Sequence, residues 1–143
     1  MNRRVLVIDD EEGIRDAFRM ALEDIDYEVF TAEDGERGVA MAAEVTPALV
    51  FLDLRMPGIS GVETLRRLLA RQPGLPIHIV TGFIQEFMRE LQQAAEEGLC
   101  FELTRKPIGR EQIQAVVRGV IEGDGGHADT REAQATGSLS DPG

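Results

Sequence analysis

The residues of this sequence best suited to chemistry are three aspartates, one threonine and one lysine. Asp9 and Asp10 follow one short apolar run, and Asp53 follows another. Thr81 and Lys106 come at the ends of two later runs. Lys106 is the single lysine among 15 basic residues, so the chain uses an ammonium in place of a guanidinium only here. Side chains of these types bind divalent cations and phosphate groups.

Three carboxylates brought within a few Å of one another would repel. At an effective dielectric constant near 20, two unit charges ~4 Å apart cost roughly 4 kcal/mol. Either one carboxyl group takes a proton or a cation binds among them. The three aspartates offer only hard oxygen donors, which favours Mg²⁺, or alternatively Mn²⁺, over zinc. The Thr81 hydroxyl and the Lys106 amine would then remain to hold phosphoryl oxygens, for which lysine acts as a compact point charge.

Each of these residues also has an ordinary structural interpretation. The acidic run that begins at Asp9 could cap the next helix and favour its dipole. Thr81 could be a strand threonine before a glycine loop, and Lys106 a solvated residue after an edge strand. Asp53 is harder to explain in this way, because the turn Leu54–Gly58 separates it from the next helix. Complementary groups at the ends of four strands together favour a shared site.

Five short apolar runs predict the strands that would position these groups: Arg4–Ile8, Tyr27–Thr31, Ala48–Asp53, Pro76–Thr81 and Leu99–Thr104. Apolar residues at helical spacing predict a helix after each strand, over about 14–25, 34–45, 62–69, 84–95 and 113–121. Alternating strands and helices predict an α/β fold with a parallel sheet and helices on both faces. Five units cannot close an eight-stranded barrel, so we expect an open, doubly wound sheet that binds ligands at the carboxyl ends of its strands.

Composition limits the classes of function. The 26 acidic and 15 basic residues give a formal net charge of −11, which argues against direct binding of nucleic acid or of an anionic membrane. No apolar run approaches the roughly 20 residues that span a bilayer, and the one cysteine fits a reducing compartment. We therefore predict a cytoplasmic protein. We expect one domain over 1–122, and a glycine-rich tail or truncated linker over 123–143.

The combination of motifs resembles the receiver domain of bacterial two-component response regulators, which has the CheY-like, flavodoxin-like fold. The resemblance rests on Asp9-Asp10, on Asp53 followed by Leu-Arg-Met-Pro-Gly-Ile-Ser-Gly, on Thr81 and on Lys106-Pro107, and it covers residues 3 to about 122 in order. It implies the strand order 2-1-3-4-5. It also implies a phosphorylation-controlled signalling switch that catalyses only its own phosphorylation and dephosphorylation, and is otherwise no enzyme.

The resemblance further implies a role for each site residue. Asp53 would accept a phosphoryl group from a sensor histidine kinase or a histidine phosphotransferase protein. Asp10 and Asp53 would bind Mg²⁺ directly, Asp9 largely through water, and Arg55 through its backbone carbonyl. Thr81 and Lys106 would contact the phosphoryl oxygens. A cis peptide is expected at Lys106-Pro107. The output would be altered contacts with an unknown partner protein at the fourth strand, fourth helix and fifth strand, and a phosphorylation-dependent homodimer is one form it could take.

The sequence departs from the family pattern in the fifth strand. Family members usually carry an aromatic residue three positions before the lysine, where this chain has Leu103, and Phe101 lies two residues earlier on the same strand face. Phe101 could replace that aromatic only with a shift along the strand. Arg55 and Phe83 flank the expected path of hydrolytic water, so we predict that they influence the phosphoryl lifetime. Cys100 is interpreted as strand packing.

Two other functions stay open at this point. A receiver-like module could act by protein contact without being phosphorylated, an alternative that Leu103 keeps open. A small phosphatase of the haloacid-dehalogenase type also uses an aspartyl phosphate, but it needs Asp-x-Asp on the first strand, and Asp9-Asp10-Glu11 does not supply it. The phosphorylated switch is the leading hypothesis.

Overall fold

The computed structural model describes residues 1–123, and these contain five strands and five α-helices in strict alternation. The strands are β1 (Arg4–Ile8), β2 (Glu28–Ala32), β3 (Leu49–Leu52), β4 (Ile77–Thr81) and β5 (Glu102–Arg105). The helices are α1 (Glu12–Glu23), α2 (Gly35–Val45), α3 (Gly61–Arg71), α4 (Ile84–Glu96) and α5 (Arg110–Val117), and a π-helical segment follows over Arg118–Glu122. Of the predicted tail, only Gly123 lies within the described residues.

All strand pairs in the sheet are parallel, and the spatial order is β2-β1-β3-β4-β5. The predicted fold class and strand order are therefore confirmed. β1 pairs with β2 on one side and with β3 on the other, so the strand order reverses at β1. Open sheets of this kind form their binding crevice at the carboxyl ends of the strands beside that reversal. The end of β1 and the end of β3 are the neighbours that form it here.

Two apolar cores lie on opposite faces of the sheet. Alternate residues of β1 divide between them, because successive side chains of a strand point to opposite faces. Leu6 and Ile8 pack with residues of α3 and α4, whereas Val5 and Val7 pack with residues of α1 and α5. All four of these side chains are buried. Because helices cover both faces of the sheet, apolar side chains are needed on both faces of a strand such as β1. This explains the continuous apolar runs in the sequence.

Local sequence explains where two of the helices begin. The Asp34 side chain accepts a hydrogen bond from the backbone N–H of Arg37 at 2.8 Å, and caps α2. Ser60 accepts from the N–H of Glu63 at 3.1 Å, and caps α3. The start of α3 is thereby separated from Asp53 by the predicted turn. Asp53 has no capping role in the helix that follows it.

The largest differences from the sequence prediction are at β5 and at the last helix. β5 begins at Glu102, because Gly98 adopts φ +93° and the N–H of Leu99 bonds to the Ala94 carbonyl at 3.1 Å. Leu99 therefore completes the end of α4 and does not start a strand. The interpretation of Cys100 as strand packing is wrong, because Cys100 lies before β5 and is exposed. The predicted last helix continues beyond α5 only as the π-helical segment.

None of the helices in residues 1–123 is long and apolar enough to cross a membrane.

Candidate functional site

Asp9 and Asp53 lie side by side because each is the first residue after its strand. The N–H of Asp53 donates to the Ile8 carbonyl at 2.9 Å, which continues the pairing of β1 and β3 past the end of β3. The N–H of Asp9 donates to the Ala32 carbonyl at 3.1 Å on the other side. The backbone of both aspartates is thus held by the sheet. Asp9 is 3% exposed and Asp53 is 5% exposed.

Asp10 completes an acidic cluster with these two residues. One carboxylate oxygen from each of Asp9, Asp10 and Asp53 can be chosen so that all lie within 4.8 Å of one another. Asp10 is exposed, so the cluster has two buried members and one member that faces solvent. Three carboxylate oxygens with one open side suit Mg²⁺, which takes hard oxygen ligands and keeps several waters. The donor set fits the cation that the sequence predicted.

Lys106 reaches into this cluster from the end of β5. Its Nζ donates to Asp9 Oδ2 at 2.9 Å and lies 3.6 Å from Asp53 Oδ2. Its backbone N–H donates to the Thr81 carbonyl at 2.9 Å, which fixes the residue to the end of β4. The Lys106-Pro107 peptide is cis, as expected from the resemblance. The amine therefore lies between the two buried carboxylates, with Asp9 as its hydrogen-bond partner.

Burial and charge at the cluster act mainly on Asp53. Burial raises the pKa of Asp53 to about 6, and the negative charge of Asp9 adds to this effect. The Lys106 charge and the backbone N–H groups of Leu54 and Arg55 oppose it. For Lys106, burial acts to lower the pKa, but the hydrogen bond and charge of Asp9 and the charge of Asp53 raise the pKa overall. The amine is therefore charged, whereas burial and the charge of Asp9 disfavour the ionised form of Asp53.

Thr81 ends β4 and is fully buried. Its Oγ1 accepts a hydrogen bond from the backbone N–H of Phe83 at 3.1 Å. Phe83 is the N-cap residue of α4, so this bond ties the first residue before the helix to the end of the strand. Any rotation of the hydroxyl away from Phe83 releases that N–H. The Thr81 side chain is thus linked to the start of α4.

Arg55 and Phe83 contact each other across the mouth of the site. The Arg55 guanidinium carbon lies 4.3 Å from the centre of the Phe83 ring, within the range of a cation–π interaction. Arg55 Nη1 also lies 3.8 Å from Glu86 Oε1 on α4. This contact joins the loop after Asp53 to the loop after Thr81. Phe83 is 42% exposed, so this contact lies at the surface of the protein.

Phe101 and Leu103, the two residues compared with the aromatic position of the family's fifth strand, differ in their burial. Phe101 is 1% exposed, and it packs in the core on the α3 and α4 face. Leu103 is half-buried in β5 and packs against the same core from its margin. The ring of Phe101 is therefore enclosed by core side chains, and the position nearer the surface holds an aliphatic residue.

An apolar groove of about 340 Å³ borders the site on the side of α1 and α5. Its walls are formed by Ile14, Ala17, Phe18, Lys106, Pro107, Ile108 and Ile113. The stem of Lys106 is part of this wall, while its Nζ reaches the carboxylates. Apolar contacts to the stem and polar contacts to the amine together hold the side chain in the site.

Sequence analysis did not single out Arg15 or Glu86. The Arg15 guanidinium donates to the backbone carbonyl of Asp9 at 2.9 Å, and the Glu86 carboxylate faces Arg55. Arg15 follows Asp9 by six residues and lies in α1, which begins next to the site. This spacing is the feature of the sequence that could have identified Arg15. The metal-binding role of the Arg55 carbonyl remains a prediction.

Comparison with known protein families agrees with this geometry. The sequence model of the response regulator receiver domain matches residues 5–118. The chain belongs to this family. Receiver domains are regulatory and interact with kinases or phosphotransferases.

Curated relatives of this receiver domain are response regulators of about twice its length. Response regulator GacA of Pseudomonas protegens is 37% identical over 116 residues, which cover 79% of this chain and 53% of that protein. The alkaline phosphatase synthesis transcriptional regulatory protein PhoP of Bacillus subtilis is 33% identical over 121 residues, covering 85% of this chain and 49% of that protein. The receiver domain therefore spans about half the length of these relatives.

Solved receiver structures superpose over most of the chain. The chemotaxis protein CheY4 of Vibrio cholerae has a TM-score of 0.74 at 25% identity, covering 85% of this chain and 100% of that chain. Response regulator protein TrrA of Thermotoga maritima, solved in complex with Mg²⁺ and BeF, has a TM-score of 0.71 at 27% identity, covering 83% of this chain and 99% of that chain.

Proposed function

We propose that this receiver domain is a phosphorylation-controlled switch in which Asp53 accepts a phosphoryl group from a phosphohistidine on a sensor kinase or phosphotransferase protein. The observation that supports it most strongly is the position of the Lys106 amine, 2.9 Å from Asp9 and 3.6 Å from Asp53. A half-buried amine beside two buried carboxylates is suited to neutralise a phosphoryl group that arrives at one of them. With such a donor, the domain would act in the cytoplasm.

Asp9, Asp10 and Asp53 are the residues that would hold Mg²⁺, with the Arg55 carbonyl as a further ligand. The related receiver structure of TrrA was solved in complex with Mg²⁺ and BeF, which supports a Mg²⁺ site in this fold. When bound, Mg²⁺ would supply positive charge to the acidic cluster and to phosphoryl oxygens. Mn²⁺ has the same preference for oxygen ligands and could replace it.

The chain's own residues would position the reacting groups. A carboxylate oxygen of Asp53 attacks phosphorus, the new P–O bond forms, and the P–N bond of the phosphohistidine breaks with its electron pair going to the leaving imidazole. The backbone N–H groups of Leu54 and Arg55 hold the Asp53 carboxylate in place. Lys106 would turn from Asp9 toward the phosphoryl oxygens, a short movement because it already lies between the two residues.

The output would begin at Thr81. A phosphoryl group on Asp53 carries about −1.5 to −2 units of charge at pH 7, in place of the single negative charge of the carboxylate, and offers three strong acceptors. The Thr81 hydroxyl would then donate to the phosphoryl group, and its bond to the N–H of Phe83 would be lost. Because Phe83 starts α4, this change would alter the surface formed by β4, α4 and β5 and its contacts with a partner protein.

The test is the intact mass of the protein after exposure to acetyl phosphate and Mg²⁺. We expect a gain of one phosphoryl group that requires Mg²⁺ and disappears in Asp53→Asn. Asp10→Asn should raise the Mg²⁺ concentration required. No mass gain in the wild type, under conditions where a control receiver domain is modified, would favour a phosphorylation-independent module. Turnover of a simple phosphomonoester that survives Asp53→Asn and is lost in Asp9→Asn would favour the phosphatase.

A further inference from the structure

Arg15 holds the backbone of the loop that carries the acidic residues. It lies in α1, is half-buried, and its Nη1 donates to the Asp9 carbonyl oxygen at 2.9 Å. That carbonyl belongs to the peptide group joining Asp9 to Asp10. The guanidinium therefore fixes the peptide immediately before the one exposed member of the cluster.

The remaining bonds of this loop show what the Arg15 contact adds. The N–H of Asp9 is bound by β2, and the N–H of Glu11 donates to Asp9 Oδ1 at 2.9 Å. These bonds hold the residue before Asp10 and the residue after it. The carbonyl of Asp9 lies past the end of β1, and Arg15 binds it from the following helix.

The start of α1 adds backbone hydrogen bonds to the Glu11 carbonyl but no side-chain capping bond to the loop. Glu11, its N-cap residue, makes no side-chain capping bond, whereas Asp34 and Ser60 do so for α2 and α3. The bonds to Asp9 and the first helical bonds to the Glu11 carbonyl therefore together set the direction in which the chain leaves β1 and enters α1. Because Asp10 is exposed, its orientation depends on its backbone more than on packing.

We propose that Arg15 is a positioning residue for divalent cation binding: it fixes the Asp9–Asp10 peptide so that the Asp10 carboxylate stays directed at the oxygens of Asp9 and Asp53. This inference rests on the proposed function, since it concerns the same cation. Arg15 acts through the backbone and does not contact the cation itself. Loss of such a supporting group lowers metal affinity by roughly tenfold or more in proteins generally.

The charge of Arg15 makes the test directional. A cation beside an acidic cluster disfavours binding of a second cation, so removing the charge alone would strengthen Mg²⁺ or Mn²⁺ binding. Removing the positioning bond would weaken it. Arg15→Met removes both the charge and the positioning bond, so weaker binding in this variant can come only from the loss of the bond.

Arg19 offers a matched control on the same helix. It is also half-buried, but its Nη2 donates to Thr31 Oγ1 at 3.0 Å and not to the backbone of Asp9. Arg19→Met removes the same charge one helical turn farther on. We expect Mn²⁺ affinity, measured by electron paramagnetic resonance of free Mn²⁺ without phosphorylation, to fall about tenfold in Arg15→Met and to be unchanged or slightly higher in Arg19→Met.

A second measurement separates positioning from loss of structure. In the acetyl phosphate reaction, Arg15→Met should raise the Mg²⁺ concentration for half-maximal rate while reaching the wild-type rate at saturating Mg²⁺. Thermal unfolding tests whether the variants are folded. If Arg15→Met is not, Arg15→Lys replaces it, because lysine keeps the charge but not the reach of the guanidinium.

Unchanged or tighter Mn²⁺ binding in a folded Arg15 variant would overturn the inference and leave the proposed function intact. An equal loss of affinity in Arg19→Met would also overturn it. If wild-type protein binds no Mn²⁺ and gains no phosphoryl group, it is the proposed function that fails.

Discussion

Within the site, burial and charge change the pKa of the Asp53 carboxyl group most strongly. Its pKa is raised to about 6, chiefly by burial, so its ionised form is less stable in the folded protein than in the unfolded chain. Between the unfolded value near 3.8 and about 6, the native state binds more protons. The cost of folding with this carboxylate therefore develops as pH rises through that window and is complete above it.

Asp53→Asn should stabilise the cation-free protein at pH 7, because it removes the buried charge and keeps the shape. The expected gain in the free energy of unfolding is on the order of 1–3 kcal/mol at pH 7, and it should shrink toward zero near pH 4. Urea unfolding at both pH values measures it. Asp10→Asn is the control, since Asp10 is exposed and should give little gain. A loss of stability in Asp53→Asn at pH 7 would contradict the interpretation that the buried charge of Asp53 destabilises the folded protein.

The elements on either side of Asp53 must approach each other closely. Gly61 is the first residue of α3, and its N–H donates to the Leu54 carbonyl at 3.0 Å. A Cβ at this position would lie 2.3 Å from the Leu54 Cα and 2.7 Å from the Asp53 carbonyl oxygen. Both are backbone atoms of the segment that carries Asp53, so neither can move aside without moving that residue. The glycine sets how closely α3 packs on this segment.

Gly61→Ala should lower the free energy of unfolding by roughly 2–3 kcal/mol and weaken Mn²⁺ binding, because the backbone at Asp53 must shift. Gly13→Ala is the matched control: Gly13 lies in α1 with nothing within 4 Å of a Cβ, and the change should be neutral or stabilising by about 0.5–1 kcal/mol. Chemical denaturation and Mn²⁺ titration report the two effects. Equal behaviour of the two variants would show that the close approach is unimportant.

The contact between Arg55 and Phe83 joins the loops that flank the site. We predict that Arg55→Ala and Phe83→Ala change the lifetime of the phosphorylated protein, because the pair lies across the expected path of hydrolytic water. The double variant should change it no more than the larger single change, since either substitution breaks the same contact. Loss of the phosphoryl group is followed by intact mass after acetyl phosphate is removed.

Arg89→Ala is the control for this pair. Arg89 is an exposed arginine of α4, so its substitution removes the same charge as Arg55→Ala. Lifetimes equal to that of the wild type in both Arg55→Ala and Phe83→Ala would refute the role of the contact.

At the scale of the whole molecule, the response of stability to acid depends on a histidine inside the sheet. His78 in β4 is 6% exposed; its Nε2 lies 2.6 Å from Thr104 Oγ1, and its Nδ1 is buried without a partner. Burial lowers the pKa of His78 to about 4, from 6.5 in the unfolded chain. Between these values the unfolded state binds more protons, so His78 favours unfolding increasingly as pH falls from about 6.5 to about 4.

His78→Leu should therefore lessen the loss of stability between pH 7 and pH 4, by up to about 3 kcal/mol at pH 4. At pH 7 the histidine is largely neutral in both states, and the variant should differ there through its packing against Phe51 and the loss of the hydrogen bond to Thr104. The difference between variant and wild type isolates His78 from Asp53, whose titration acts in the opposite direction. A constant difference across this pH range in urea unfolding would contradict the assignment.

The sequence by itself determined the fold class, the strand order through its family resemblance, and the residues at the strand ends. This was possible because buried parallel strands are continuous apolar runs, and because the carboxyl ends of such strands meet at one edge. Asp9, Asp53, Thr81 and Lys106 were placed from that rule alone, and the structure brings Lys106 between the two buried aspartates as expected.

Only the tertiary structure decided which partner each group takes. The sequence could not assign the Lys106 hydrogen bond to Asp9, the Arg15 bond to the Asp9 carbonyl, or the burial of Phe101 ahead of a shortened β5. Such contacts join residues far apart in the chain, or depend on how a helix end such as Gly98 turns. Apolar periodicity reports which face of an element is buried, whereas a hydrogen bond depends on differences of a few tenths of an ångström that arise only when all the elements pack together.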